Sequence, residues 1–528
     1  MAQHTLHIVF APSISFTHCR QMAPFITNLV RRYPHLTITV LAWNDSLPDF
    51  REGAKRADLQ LDDNSQLRLI GIVKSAGDDA QPLDEYRSFG DALSRAYDTI
   101  FDGGSLECCD SGRAFTFDSL PRPSLVIGAM FIPNFAQNVK AKSPDVKFLV
   151  FVPSTASGFI RPFGPRELGG LGSWENETNE EIASGRLQDL TPEAAARVLE
   201  YRFSRIPIPS PDGVPMYDYE LYPQDVAPAS IVQWLWQETT QITATADGVV
   251  LVTTPRFEPE TTTTLRDWYN DQLGKRLFLV GPQAYPDPTG PATNDEVPPP
   301  VRPGSTAIVL SFLRNQAPGS VWFISFGTTY FPYNRLGYFR TVIETLLELD
   351  IPILLTWGWS DTVPKGAISP ELEMEMRVKN KGLIVDWIHQ QDEILRHPSI
   401  GVFLSHGGLN SMWEALLAKV LCVYWPFAVD QPLNAAYLTT KVDCAFELLQ
   451  VRTGPGADPP LRGGSIDGSN DAVKAEIKQI AEDIKGEVGE RKRQNLAAFR
   501  EKILAELAEG GDSYEAIDHL ITYASSDN

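Results

Sequence analysis

The chain has 528 residues, 43% of them hydrophobic and 21% charged, with 67 acidic against 46 basic side chains. That length exceeds one ordinary core and predicts two globular domains, in a composition with no long stretch biased toward disorder. A net charge of −21 argues against a nucleic-acid binder, which needs clustered lysine and arginine, and disfavours anionic membrane surfaces.

The N-terminus, MAQHTLHIVFAPS, shows no basic leader, and its apolar run has only the length of a strand. No run of about 18 apolar residues occurs, so no membrane span is expected. Residues 6–10 read as the first strand, followed by a loop and a helix over about 18–32. Further strands are expected at 36–41, 67–72, 124–127, 148–152, 249–252 and 277–280, with helices between most of them, notably 83–101 and 131–142. Alternation of strand and helix predicts an α/β fold with a parallel, doubly wound sheet. The interval 162–228, rich in glycine, proline and acidic residues, breaks the rhythm. A helix carrying Trp234 and Trp236 is expected at 234–245. The run YPDPTGPATNDEVPPPVRPG at 285–304 holds too many prolines for sheet or helix and reads as a stiffened linker.

A second series follows, with strands at 321–325, 351–356, 383–385, 400–404 and 421–424. A long polar helix over 471–509 and a final helix at 514–523 close the chain. The expected division is a domain at 1–284, the linker 285–304, a domain at 305–510 and a C-terminal helix within 511–528. Five cysteines (19, 108, 109, 422 and 444) are odd in number and lack metal-site spacing, which predicts a reducing, cytoplasmic setting. The sequons at Asn44 and Asn176 would then go unused.

The most informative stretch is 387–431, WIHQQDEILRHPSIGVFLSHGGLNSMWEALLAKVLCVYWPFAVDQ. A buried strand at 400–404 runs into His406-Gly407-Gly408, and a helix begins near Asn410. Unpaired amides and the positive end of the helix dipole make such a junction an anion site. Asn410 and Ser411 suit a helix start and can donate to phosphate oxygens. Glu414, one turn on, would repel phosphate but can accept both hydrogens of a ribose diol. Taken singly, Trp387 and Trp425 serve equally well as core aromatics, Glu414 as a solvated helix residue, and His397 as a turn residue. Together they outline a nucleotide site.

This pattern resembles the donor-binding signature of UDP-dependent glycosyltransferases of small molecules. Its fixed positions are Trp387, a glutamine at 390 or 391, His397-Pro398, Gly401, His406, Gly408, Asn410-Ser411, Glu414, Trp425-Pro426 and Asp430-Gln431. The resemblance implies that Trp387 stacks on uracil, with a nearby glutamine on ribose, and that His406, Asn410 and Ser411 hold the diphosphate. It places Glu414 on the ribose hydroxyls and Asp430 and Gln431 on the sugar. Ser325-Phe326-Gly327-Thr328 resembles the family's turn at the β-phosphate. The donor-binding candidates are therefore Gly327, Thr328, Trp387, Ile388, Gln390, His406, Gly408, Asn410, Ser411, Glu414, Asp430 and Gln431. Leu409 stands where many members have tryptophan, and Lys419 and Leu421 replace a usual glycine and proline. One extra residue between Trp387 and His397 leaves open whether Gln390 or Gln391 reaches ribose.

The implied fold is GT-B, two Rossmann-like domains facing across a cleft, with the final helix packing back on the first domain. The interval 162–228 is then an excursion over the acceptor side, with Phe16, Phe131, Trp234 and Trp236 as candidate acceptor walls. His18, at the start of the first helix, matches the family's general-base position; a neutral imidazole suits deprotonation of an acceptor hydroxyl near pH 7. The aspartate that orients this histidine in relatives is replaced by Ala129, with Asp110 and Asp118 the nearest substitutes in sequence. The expectation is an inverting, metal-independent, monomeric transferase needing no cofactor besides its UDP-sugar donor. Glucose is the favoured sugar, xylose is an alternative, and the acceptor is a small, fairly apolar hydroxylated molecule. The rival readings are a UDP-sugar-binding protein with lapsed catalysis and a GT-B epimerase or hydrolase. No GxGxxG fingerprint or Walker loop points to a dehydrogenase or an ATPase.

Overall fold

The structure, a computed structural model, describes residues 6–14, 16–59, 61, 66–73, 82–171, 174–186, 189–190, 205–224, 239–284, 305–328, 330–358, 366–388 and 390–526. The linker 285–304 and the side chains of Phe16, Trp234 and Trp236 lie outside the described part, as does most of the 234–245 helix. The described residues within Met1–Glu200, Pro228–Thr289 and Leu504–Asn528 form one compact unit, and those within Tyr201–Ala227 and Gly290–Ile503 another.

The first unit is built on β1 (Leu6–Ala11), β2 (Leu36–Trp43), β3 (Leu67–Val73), β6 (Leu125–Ala129), β7 (Lys147–Val152), β8 (Gly248–Leu251) and β9 (Arg276–Leu279). They pair in parallel in the order β3-β2-β1-β6-β7-β8-β9. Every residue of β2, β6 and β7 is buried, as expected of strands covered on both faces. A short hairpin, β4 (Ser105–Glu107) and β5 (Ala114–Thr116), stands apart from this sheet. The final helix, Asp512–Ser525, packs on β9, with Tyr523 against Phe278 at 5.8 Å and Arg32 over the Tyr514 ring at 3.2 Å.

The second unit carries β10 (Val321–Ser325), β11 (Ile353–Thr356), β12 (Gly382–Val385), β13 (Ile400–Ser405), β14 (Leu421–Tyr424) and β15 (Ala445–Glu447). The order β12-β11-β10-β13-β14-β15 is again wholly parallel. Each sheet reverses its winding direction at one place, between β1 and β6 in the first and between β10 and β13 in the second. Ligands of open α/β sheets bind at such a reversal, beyond the carboxyl ends of the strands.

Two expectations change. The polar helix expected over 471–509 is two helices, Asn470–Lys485 and Glu487–Leu507, because Gly486 between them is extended. The 162–228 interval is not wholly an excursion of the first domain, since residues 205–224 are built into the second unit. They are held there by the fully buried Glu220, which meets Arg462 and Arg452.

Candidate functional site

At the reversal in the second sheet, β10 ends in Gly327 and β13 in His406-Gly407-Gly408. Gly327 and Gly407 have φ of +75° and +85°, a region that a side chain rarely enters. The serine closing each strand turns back on the glycine: Gly327 N donates to Ser325 Oγ at 3.5 Å and Gly407 N to Ser405 Oγ at 3.3 Å. The His406 ring is wedged between the two turns. A Cβ on Gly327 would lie 2.8 Å from this ring, and one on Gly408 only 2.5 Å from Nε2. On the other side, Gly358 after β11 comes so close that its Cβ would lie 2.7 Å from the Gly327 carbonyl oxygen. Burial pulls the His406 pKa down to about 4, so the ring is neutral near pH 7. Its Nδ1 is buried without a hydrogen-bond partner among the described residues.

The helix Leu409–Ala418 starts directly after this ring, with Gly408 as its extended N-cap. Apolar Leu409, Met412, Trp413, Leu416 and Leu417 face the core, and Asn410 and Glu414 share a half-buried side. Gln391 braces that side: its Nε2 donates to Glu414 Oε2 at 2.7 Å and to Ser411 Oγ at 3.2 Å. Gln390 is equally buried, and its Nε2 has no hydrogen-bond partner among the described residues. The two glutamines that the sequence left undecided thus differ in kind. Lys419, where relatives have glycine, ends the helix at φ +60°.

Trp387 and Ile388 follow β12 and remain half-buried, whereas Trp425 is a core residue, edge-on to Phe326 at 5.4 Å. Thr328 lies half-buried beside Gly327. Asp430 and Gln431, expected on sugar hydroxyls, bond to the protein. Gln431 Oε1 accepts from Phe427 N at 2.9 Å and from Ala428 N at 3.4 Å. Asp430 accepts from Asn434 at 2.9 Å and from the Leu409 amide, while burial raises its pKa to about 6. The Gln431 amide nitrogen is the part of this pair least committed to those bonds.

In the first unit, His18 lies in the first turn of the helix Phe16–Arg32, at the β1–β6 reversal. Its ring stands 5.1 Å from that of Phe131, just past β6, and burial holds its pKa down at about 4. Its Nδ1 is buried and has no hydrogen-bond partner among the described residues. Neither nearby aspartate replaces the one missing at Ala129. Asp110 is exposed and paired with Arg51, and Asp118 is exposed beyond β5. The neighbouring Cys19 thiol donates to the Ser13 carbonyl at 3.0 Å, which fixes this helix start.

Residues 343–453 match the family model described as UDP-glucoronosyl and UDP-glucosyl transferase. This span runs from the helix after β10 to just past β15 and holds nearly all of the donor-site candidates. Over this span the chain is similar to the UDP-glycosyltransferase family. It is 28% identical over 311 residues to UDP-glycosyltransferase eriJ of Hericium erinaceus, covering 56% of this chain and 58% of the relative. To UDP-glycosyltransferase 76G1 of Stevia rebaudiana it is 31% identical over 218 residues, covering 41% and 42%. The chain thus spans about half the length of the curated relatives it matches. Solved structures extend the likeness of fold to the rest. A Siraitia grosvenorii transferase in complex with UDP superposes with a TM-score of 0.68 at 18% identity, covering 99% of this chain and 100% of that one. Medicago truncatula UGT71G1 complexed with UDP-glucose gives 0.67 at 17%, covering 99% of each. The fold is GT-B. Among the described residues, no helix is long and apolar enough to cross a membrane.

Proposed function

We propose that the chain is an inverting UDP-sugar glycosyltransferase acting on a hydroxyl of a small, fairly apolar acceptor, with glucose as the preferred sugar. The observation that carries this reading is the neutral His406, pinned between two glycine turns at the sheet reversal, beside a helix N-terminus and one turn before Glu414. Backbone amides, an imidazole N–H and the helix dipole together suit a diphosphate, and a carboxylate one turn on suits a ribose diol. The negative charge that builds on departing UDP is what these donors would stabilise, and no metal need be involved. Gln390 is the better ribose ligand of the two glutamines, because Gln391 is occupied in holding Glu414. Neutral His18 is the base that takes the proton of the acceptor hydroxyl as its oxygen attacks the anomeric carbon.

One observation favours a second reading. Among the described residues, nothing bonds the buried Nδ1 of His18 to orient the ring and stabilise its charged form, as in a UDP-sugar binder with lapsed catalysis. UDP release, measured with and without a panel of phenols and terpenoid alcohols and with chelator present, separates the readings. Acceptor-dependent release unaffected by chelator is expected. Release without acceptor indicates a hydrolase, and UDP-sugar binding with no release indicates a binder.

A further inference from the structure

Between β7 and β8 the chain leaves the first sheet, and residues 205–224 enter the second unit. A connection with no further task runs over the surface with water on its backbone. This one carries Glu220, whose carboxylate is wholly buried. One of its oxygens accepts from Tyr217 N and Leu461 N, each at 2.9 Å; the other meets Arg462 and, at 3.5 Å, Arg452. Glu447 of β15 closes the quartet, 2.6 Å from Arg452 and 2.7 Å from Arg462. Burial would raise the Glu447 carboxyl, but the two guanidiniums more than offset this and hold it below its ordinary value. Such a quartet adds little stability over apolar packing of the same volume, but it demands one geometry.

The contacts of the same segment show what that geometry serves. Met216 and Leu221 pack on Ala436, with Leu433 beside them, on the helix that begins at Gln431. Thr453 N donates to the Pro223 carbonyl at 2.9 Å, and the Thr453 hydroxyl lies 3.5 Å from Gln224 Oε1. Gln224 Nε2 donates to the Pro426 carbonyl at 3.4 Å. Pro426 belongs to the turn 425–431, which Gln431 ties from within through Phe427 N and Ala428 N. Gln224 therefore adds a tether from a distant part of the chain to the one that the turn's own glutamine supplies.

We propose that residues 205–224 are a positioning strap for the donor sugar, in which Gln224, acting through Pro426, sets the turn that carries Asp430 and Gln431. The inference rests on the UDP-sugar reading above. Gln224 is a positioning residue: it holds the turn and leaves the diphosphate and ribose contacts at the β10–β13 reversal alone. Its loss should affect the sugar and spare UDP.

The test is calorimetric titration of wild type, Gln224→Ala and the volume-keeping Gln224→Met with UDP and with UDP-glucose, alongside thermal melts. Both variants are expected to bind UDP as wild type does and UDP-glucose about fivefold more weakly, the effect of one neutral hydrogen bond. Their preference for UDP-glucose over UDP-xylose should narrow. Wild-type affinity for UDP-glucose in both variants overturns the strap. Equal weakening for UDP and UDP-glucose, together with a lowered Tm, also overturns it, because a purely structural role produces that pattern. Wild type that binds neither ligand refutes the UDP-sugar reading itself, and the strap with it.

Discussion

At the scale of single residues, the proposal rests on Glu414 and His18, and both are set by surroundings that the sequence pattern did not reveal. Glu414 is held by Gln391, so the carboxylate proposed to meet ribose already has its orientation. Glu414→Ala is expected to weaken UDP binding by about 1.5–3 kcal/mol, the range for hydrogen bonds to a charged group. Calorimetry that gives equal UDP affinity for wild type and variant would remove Glu414 from the site. His18 is governed by burial, which lowers its pKa from 6.5 to about 4. A base must be neutral, and a lowered pKa keeps it neutral down to more acid solution. The acid limb of the transfer rate should therefore lie near pH 4–5, and an acid limb at 6–7 would contradict the buried imidazole. His18→Ala should slow transfer by roughly 10²–10⁴-fold. UDP affinity should be untouched, since every UDP ligand proposed here belongs to the other unit.

At the scale of elements, the glycine turns matter more than the helices they join. Gly408→Ala would place its methyl group 2.5 Å from His406 Nε2, and the ring rather than the backbone would have to move. UDP affinity should then fall about as far as in His406→Ala, with little change in Tm. If Gly408→Ala binds UDP normally, His406 does not need the position described. The strands were legible in the sequence because buried parallel strands are short apolar runs bounded by glycine and polar turns. Expected 321–325 and 421–424 became β10 and β14 without change. The three-residue β15 was not legible, since Ala445–Glu447 is too short for a periodicity and includes the charged Glu447. The break at Gly486 was missed because a lone glycine in a long polar helix is often tolerated. Residues 205–224 were misread because their place depends on one buried carboxylate meeting arginines more than 200 positions away. Glu220→Ala, which leaves two buried guanidiniums to share Glu447 alone, is expected to cost about 3–5 kcal/mol. A Tm shift no larger than that of Glu348→Ala, whose partners Lys474 and Lys478 are partly exposed, would contradict this.

At the scale of the whole molecule, two sheets with the same winding each put their candidate chemistry where the winding reverses. The donor candidates could be proposed from the sequence because phosphate and ribose recognition would need fixed residue types at fixed spacing. The roles of Asp430 and Gln431 could not, because a side chain's hydrogen bonds to its own turn leave no trace in spacing. The acceptor side is less legible still: Ala129 marks the absence of an orienting carboxylate, and nothing in sequence order supplies a replacement. The measurement that bears most directly on the whole is the anomeric configuration of the product made from UDP-α-glucose and a phenolic acceptor, read by proton NMR. The expected product is the β-glucoside, formed by direct attack of the hydroxyl deprotonated by His18. An α-glucoside, or no glycoside while UDP-glucose binds, would contradict inverting transfer at this site.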